Sequence, residues 1–193
     1  AACSMTHDPD CLLGTALASV VTGQRSAGGV AVAEDAGLVA VQVFSKVEDA
    51  AKCQGWGLKA PCVATELISQ LKALDVLVKA TSEGMKNLAA VTTTVSLGQF
   101  KAACEDLPYK PLVDALRKQG VAFVASSGDE GQTEATSFPG CLSAVVTVGS
   151  ATPANAIAPF SNMAGWVDML APGVELPVAV VGGQMAKLNG TIL

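Results

Sequence analysis

The stretch VAFVASSGDEGQTEATSFPGCLSAVVTV, residues 121–148, decides the fold. An apolar run, 121–125, stops at the small residues 126–128, and a second apolar run, 144–148, follows after a loop. Short apolar runs bounded by glycine and serine are typical of the central strands of a parallel sheet. Because open α/β sheets place their functional groups at the carboxyl ends of such strands, residues 126–131 are the first candidate site.

Length and composition limit the class of protein. The chain has 193 residues, which suits one domain, residues 1–193, with a substantial core. Half of its residues are hydrophobic, yet no uncharged apolar run is long enough to span a membrane. The net charge of −5 and an aromatic content of 4% disfavour a nucleic-acid partner, which needs a basic surface or stacking platforms. No cofactor is predicted.

Six cysteines indicate a disulfide framework, because an even count is typical of proteins in an oxidising compartment. We therefore expect an extracytoplasmic location, secreted or periplasmic. The cysteines cluster in pairs along the chain, which predicts the bridges Cys3–Cys11, Cys53–Cys62 and Cys104–Cys141. Other pairings and buried free thiols are the alternatives. A zinc site is disfavoured, since no CxxC spacing is present and His7 is the only histidine.

The same stretch resembles the subtilisin-like serine peptidases, whose pattern here is an apolar strand, small residues, Gly-Asn, a loop with proline, and a strand ending V-T-V-G. Further blocks follow in the family's order: GTALAS at 14–19, LVAVQVF at 38–44, SLG at 96–98, FSN at 160–162, VDMLAPG at 167–173 and NGT at 189–191. They extend over roughly residues 11–193, so chance similarity is disfavoured. The resemblance implies a doubly wound α/β fold with a mostly parallel sheet.

Periodicity and turn residues place the individual elements. Apolar spacing and helix-ending glycines predict helices, and β-branched runs predict strands. The predicted helices cover residues 12–21, 63–83 and 111–119. The predicted strands cover residues 38–44, 88–97, 121–125 and 144–148, a small hairpin pairs 178–181 with 184–188 across Gly182-Gly183, and residues 46–61 form a loop.

The resemblance assigns three positions to catalysis, and this chain carries other residues there. Leu13 stands where the family has its histidine, Asp129 where an asparagine donates to the oxyanion, and Ile192 where the family has its serine. Leucine and isoleucine transfer no proton and attack no carbonyl, and an ionised aspartate accepts hydrogen bonds rather than donating them. The prediction is that the chain has no catalytic residues of its own and is not an enzyme.

An improvised triad is the alternative source of catalytic groups. Ser4, His7 and Asp8 lie close together in the sequence beside Pro9. A histidine in a polar, proline-flanked loop is more often simply solvated, so this triad is disfavoured.

Two edges of the predicted sheet are candidates for peptide binding. The resemblance implies that the S-L-G segment pairs with an extended substrate by strand addition, with Thr94 in place of the family's asparagine. The candidate residues are Ser96, Leu97, Gly98, Ala125, Ser126, Ser127 and Gly128.

Three functions fit these observations. The first is a non-catalytic subtilisin-like domain that serves as a structural or binding subunit of an extracytoplasmic assembly. The second is a peptide-binding pseudoprotease that uses the two candidate edges. The third is a serine endopeptidase of the subtilisin family. Fold alone does not decide among them.

A partner is predicted from what the resemblance leaves unmatched. The family's first strand, with its catalytic aspartate, and its central nucleophile helix have no counterpart in residues 1–193. A sheet without that helix exposes a large apolar face, which soluble monomers rarely tolerate. We expect another protein, a membrane-protein assembly, or parts of the chain's own precursor outside residues 1–193 to cover this face and to contact residues 12–21 and 188–193.

Overall fold

The computed structural model of the chain describes residues 12–23 and 28–193. Within them are four helices and ten strands, in the order α1 (Leu13–Thr22), β1 (Ser45–Val47), α2 (Ala50–Gly55), β2 (Cys62–Ala64), α3 (Leu67–Ser82), β3 (Ala90–Thr92), β4 (Leu97–Phe100), α4 (Lys110–Lys118), β5 (Ala122–Ser126), β6 (Thr136–Phe138), β7 (Val146–Ala151), β8 (Met169–Pro172), β9 (Leu176–Val180) and β10 (Gln184–Leu188). Among the helices of this described part, none has the length and apolarity needed to cross a membrane.

The main sheet contains four parallel strands in the order β3-β5-β7-β8. Strands β5 and β7 lie in the middle, with Val124 opposite Val146 and Ser126 opposite Val148. Both strands are largely buried, as expected of strands that are covered on two faces. The predicted α/β fold with a mostly parallel sheet is confirmed.

Helix α4 leads directly into the central strand. It has a proline in its first turn, where an N–H would have no partner in the helix, and Arg117 and Lys118 in its last turn, where cations suit the helix dipole. Val113 and Leu116 are completely buried in the main core. Gly120 then turns the chain with a φ of +80°, so that β5 begins two residues later. The predicted helix at 111–119 is thus confirmed within one residue at each end.

The small C-terminal hairpin is also confirmed. Strands β9 and β10 pair in antiparallel register, and Gly182 and Gly183 form the turn with positive φ angles of 88° and 74°. Helix α1 packs on β9 through a second core of Ala16, Val20 and Val178. Leu193 packs against the same core, so the C-terminal segment lies beside α1.

The predicted strand at residues 38–44 is wrong. These residues have no regular structure; Val39 is 61% exposed, Phe44 packs against the main core, and pairing begins only at β1. An apolar segment forms a strand only where a neighbouring strand completes the hydrogen-bond ladder, and within the described residues no strand pairs with this segment. Strand β3 is an edge strand of the main sheet, and among the described residues no strand pairs with the edge of β3 that faces away from β5.

Three further boundaries differ from the prediction. Of the strand expected at 88–97, only residues 90–92 form a strand, β3, and Leu97 begins the separate strand β4; between them Val95 N donates to Thr93 Oγ1 at 3.2 Å. The helix expected at 63–83 starts later, since residues 62–64 pair with β1 as strand β2. The loop expected at 46–61 contains α2, whose first amides are capped by the Asp49 carboxylate.

Two of the three predicted disulfides are confirmed. Cys53–Cys62 links α2 to β2, and Cys104–Cys141 links the segment after β4 to the loop after β6. Within the described residues no cysteine is free. The predicted bridge Cys3–Cys11 lies outside the described residues. The two observed bridges fit an extracellular location, where disulfides persist.

Candidate functional site

The candidate site begins where β5 ends. Ser127 is fully buried between two neighbouring strands, because its amide donates to Val148 O at 2.8 Å and its carbonyl accepts from Ser137 N at 2.7 Å. Strand β6 thereby connects to the end of the main sheet. The hydroxyl groups of Ser126 and Ser127 are buried without a hydrogen-bond partner in the described residues.

Gly128 is the tightest position of the site. Its φ is +109°, and a Cβ there would lie 2.2 Å from Asn162 Nδ2 and 2.3 Å from Ser137 Oγ. Only glycine combines this backbone conformation with so close an approach. The glycine at position 128 of the Ser126-Ser127-Gly128 segment is therefore required by the polar side chains that pack against it.

Asn162 organises the loop that follows. Its side chain is completely buried, and its carbonyl oxygen accepts hydrogen bonds from the amides of Glu130 at 3.1 Å and Gln132 at 2.8 Å. Its amide nitrogen Nδ2 donates to Glu130 Oε2 at 2.6 Å, and its backbone N–H donates to Gly128 O at 2.9 Å. Hydrogen bonds from the side chain and the backbone of Asn162 thus fix the loop at residues 128–132. The Glu130 carboxylate also accepts a hydrogen bond from Ser137 Oγ at 3.3 Å.

This polar cluster of Glu130, Ser137 and Asn162 was missed by the sequence analysis. The available signal was the FSN block at 160–162, which contains Asn162 but was used only to support the resemblance. Nothing in the local sequence shows that an amide at 162 reaches a carboxylate 32 positions earlier.

Asp129 holds the C-terminal segment. Its Oδ1 accepts hydrogen bonds from Thr191 N and Thr191 Oγ1, both at 2.8 Å. The Thr191 hydroxyl also accepts from Gly128 N at 3.3 Å, and Thr191 is buried. The Asp129 carboxylate is therefore engaged with a chain segment 62 residues away rather than left free in a turn.

The three family catalytic positions lie on neighbouring elements. Leu13 starts α1 and is half-buried, Ile192 follows Thr191 in the segment that Asp129 holds, and Leu193 packs against the core of α1. The assignment of Leu13, Asp129 and Ile192 to catalytic positions stays a prediction. The alternative triad of Ser4, His7 and Asp8 falls outside the described residues.

Replacing Asp129 with alanine should lower the free energy of unfolding by about 1–2 kcal/mol, because a buried threonine then loses the acceptor of its amide and its hydroxyl. Urea unfolding at neutral pH measures the change. Asp129→Asn is the matched control, since it keeps an oxygen at the same place and should cost less. Equal stability of the alanine variant and the wild type would show that these hydrogen bonds contribute nothing.

Strand β4 forms the other wall of the site. It pairs only with β6 within the described residues, with Leu97 opposite Phe138 and Phe100 opposite Thr136 around a bulge. Its second edge is unpaired there, and Leu97 is 51% exposed. Because β6 contacts β4 through its ladder and Ser127 through Ser137 N, the structure brings the predicted residues at 96–98 and 125–128 to the same end of the fold.

The segment after β4 is fastened to the loop after β6. The Cys104–Cys141 bridge is accompanied by a hydrogen bond from Cys104 N to Cys141 O at 3.1 Å. Ser143 N donates to Glu105 Oε1 at 2.8 Å, and this bond, helped by Lys110, holds the pKa of Glu105 below its usual range. All three contacts join the same two segments.

An aromatic contact lies beneath these bonds. The ring of Tyr109 meets that of Phe138 edge-on, with centroids 4.8 Å apart, and also contacts Phe123 at 5.9 Å. Burial raises the pKa of Tyr109 to about 12, so its hydroxyl stays neutral at every physiological pH.

The described residues contain no group of three or more histidine, cysteine or acidic side chains placed to hold a metal ion.

Comparison with known proteins identifies the family. A sequence model of the Subtilase family, Peptidase S8, matches residues 14–191. The major intracellular serine protease of Bacillus subtilis (strain 168) is 28% identical over 184 residues, which are 92% of this chain and 50% of that protein. The subtilisin-like serine protease Rho m 2.0101 of Rhodotorula mucilaginosa is 31% identical over 125 residues, 63% of this chain and 35% of that protein.

A solved structure supports the same fold. The prenylagaramide maturation protease PagA aligns with 93% of this chain and 58% of its own chain, with a TM-score of 0.71 and 20% sequence identity. The chain therefore spans about half or less of the length of the curated relatives described above, and somewhat more of this solved one.

These comparisons correct one prediction. The chain was expected not to be an enzyme, and that expectation is wrong, because the family and the relatives that it matches are serine proteases. The prediction judged activity from Leu13, Asp129 and Ile192 alone, whereas a catalytic triad is recognised by geometry and role rather than by sequence position. With the family matched over residues 14–191 and the same fold found in a solved protease, this chain belongs to the subtilase family.

Proposed function

We propose that the protein to which this chain belongs is a serine endopeptidase of the subtilisin family, and that these residues form its peptide-binding cleft. The observation that carries the proposal is the unpaired, exposed edge of β4 among the described residues, which β6 connects to the end of β5. An exposed strand edge offers unpaired N–H and C=O groups, which an extended peptide can pair with.

The two walls of the cleft contribute in different ways. Residues 96–98 supply free backbone groups and the half-exposed Leu97 side chain, so a peptide can add there as a strand. The amides of Ser127 and Gly128 are already bonded to Val148 O and Thr191 Oγ1. That wall therefore contributes shape and close approach rather than strand pairing.

Rigidity supports a role in holding substrate. The floor beside Gly128 consists of buried, mutually bonded side chains, namely Ser137 and Asn162 with the Glu130 carboxylate. Preorganised groups of this kind bind an extended chain with little further ordering. Peptide hydrolysis in this family is an acyl transfer that needs a nucleophile, a base and oxyanion donors. Labelling with a fluorophosphonate identifies the residue that acts as the nucleophile.

Hydrolysis tests the proposal directly. The protein with its disulfides formed is incubated with casein and with a fluorophosphonate, and the modified residue is located by mass spectrometry. We expect time-dependent cleavage and stoichiometric labelling of one serine, with heat-unfolded protein as the control. Peptide binding without cleavage or labelling would contradict the proposal.

The partner that covers an open face stays a prediction. The exposed apolar residues of the segment 38–44, among them Leu38, Val39 and Val41, support a contact there. Residues 12–21 were expected to take part as well, but two of them, Ala16 and Val20, are already buried against β9. Light scattering of the purified protein, with and without its natural partners, measures this association.

A further inference from the structure

Strand β4 has backbone pairing along one edge only within the described residues, although its last residue, Phe100, packs against the main core. It lies outside the four-stranded parallel sheet and pairs only with the three-residue strand β6 within the described residues. That ladder has two matched pairs, Leu97 with Phe138 and Phe100 with Thr136, and a register shift between them. Leu97 and Gly98 are exposed. Pairing this short and irregular does not by itself fix a strand.

The bonds between the segments 104–109 and 138–143 provide the missing constraint, and we call them the cysteine clamp. Its covalent part is Cys104–Cys141, with Cα atoms 5.4 Å apart and both cysteines buried. Cys104 follows the end of β4 by four residues, and Cys141 follows the end of β6 by three. The disulfide therefore joins the chains that leave the two paired strands.

The non-covalent parts of the clamp act on the same strands. Phe138 is the residue opposite Leu97, and the same Phe138 ring packs edge-on against Tyr109. Glu105, one residue after Cys104, accepts from the backbone N–H of Ser143, two residues after Cys141, at 2.8 Å. Loosening the clamp would thus release Phe138, and with it the register of β4.

The second disulfide has a different location. Cys53–Cys62 joins α2 to β2, and β2 pairs with β1 alone within the described part of the chain. Residues 12–23 and 28–193 therefore contain two buried disulfides, one beside the proposed cleft and one that is not connected to β4 or β6 by pairing. Removing Cys53–Cys62 is therefore the matched control for removing Cys104–Cys141, because each change deletes one buried disulfide.

We propose that Cys104 and Cys141 are positioning residues for peptide binding, and that their bridge holds β4 in the register that an incoming peptide needs. This inference rests on the proposed endopeptidase function. It separates two roles of a disulfide, since the clamp sets the geometry of the cleft whereas Cys53–Cys62 contributes to stability alone.

The test compares Cys104→Ser/Cys141→Ser with Cys53→Ser/Cys62→Ser under conditions where near-UV dichroism shows both to be folded. Amide hydrogen exchange of residues 97–100 and the steady-state constants for one peptide substrate are measured. In the clamp variant we expect β4 amides to exchange about tenfold faster or more, with KM raised about tenfold and kcat changed less than about threefold. In the control variant both readouts should match the wild type.

The outcomes separate the clamp from the proposed function. Unchanged exchange at 97–100 in the clamp variant, or an equal rise of KM in both variants, overturns the inference. Faster exchange at β4 in a protein that cleaves nothing even as wild type supports the clamp and contradicts the endopeptidase. If the double serine variant does not fold, Glu105→Ala replaces it, and loss of the Ser143 bond should again accelerate exchange at β4; no acceleration overturns the inference.

Discussion

Replacing Gly128 with alanine should destabilise the fold by about 3 kcal/mol, as the sum of backbone strain and overpacking. The added Cβ would lie 2.2 Å from Asn162 Nδ2 and 2.3 Å from Ser137 Oγ, at a φ of +109°. Both neighbours are completely buried, so neither side chain can move aside without breaking the hydrogen bonds that fix residues 128–132. Urea unfolding followed by near-UV dichroism measures the loss.

Gly84→Ala is the matched control for the Gly128 substitution. Gly84 also has a positive φ, +125°, but a Cβ there would have no atom within 4 Å. That variant should lose only the cost of the backbone conformation, about 1 kcal/mol. If the two substitutions cost the same, the close packing of Gly128 against the polar cluster would have no energetic consequence, and this description of the site would be wrong.

Removing the Cys104–Cys141 bridge by a double alanine substitution should lower the free energy of unfolding by about 4 kcal/mol, and removing Cys53–Cys62 by about 3 kcal/mol. The order follows from loop length, because the first bridge closes a separation of 37 residues and the second a separation of 9. The longer closed loop removes more freedom from the unfolded chain.

Denaturant unfolding of the two double alanine variants beside the wild type gives both values. The cysteines of each pair are buried, so the cavities that remain are of similar kind. A larger loss for Cys53–Cys62 than for Cys104–Cys141 would contradict the loop-length argument. In that case local packing rather than chain entropy would dominate the contribution of these bridges.

Elements set by local signals could be predicted from the sequence. Helix α4 has proline at its start, cations at its end and glycine just beyond, and the β9–β10 hairpin has two consecutive glycines at its turn. These signals act within a few residues, so sequence alone places such elements to within one or two positions.

Elements that depend on a distant partner could not be predicted in the same way. The segment 38–44 is apolar like a strand but has no ladder among the described residues, and the strand expected at 88–97 forms only over residues 90–92 before β4 begins at Leu97. The candidate site shows the same difference between local signals, which could be predicted, and distant contacts, which could not. The small residues at 126–128 were expected, whereas the bonds from Asn162 to Glu130 and from Thr191 to Asp129 join residues 32 and 62 positions apart.

The expectation about activity failed for a related reason. Side-chain identity at Leu13, Asp129 and Ile192 was taken to decide catalysis, although a function resides in the assembled site of a whole protein. The chain matches serine proteases over most of its length but spans half or less of the two curated relatives. Activity therefore has to be measured on the protein itself.

Hydrogen exchange with a bound peptide tests the central claim, that residues 96–98 and 125–128 flank a peptide-binding cleft. The protein is saturated with a short extended peptide in which only the scissile amide bond is reduced, so that the peptide resists cleavage but keeps its other N–H and C=O groups for strand pairing. We predict slower exchange in β4, at 97–100, and no change in β10, at 184–188, which lies in the separate hairpin. Protection confined to other segments, with β4 exchanging as in the free protein, would contradict the account.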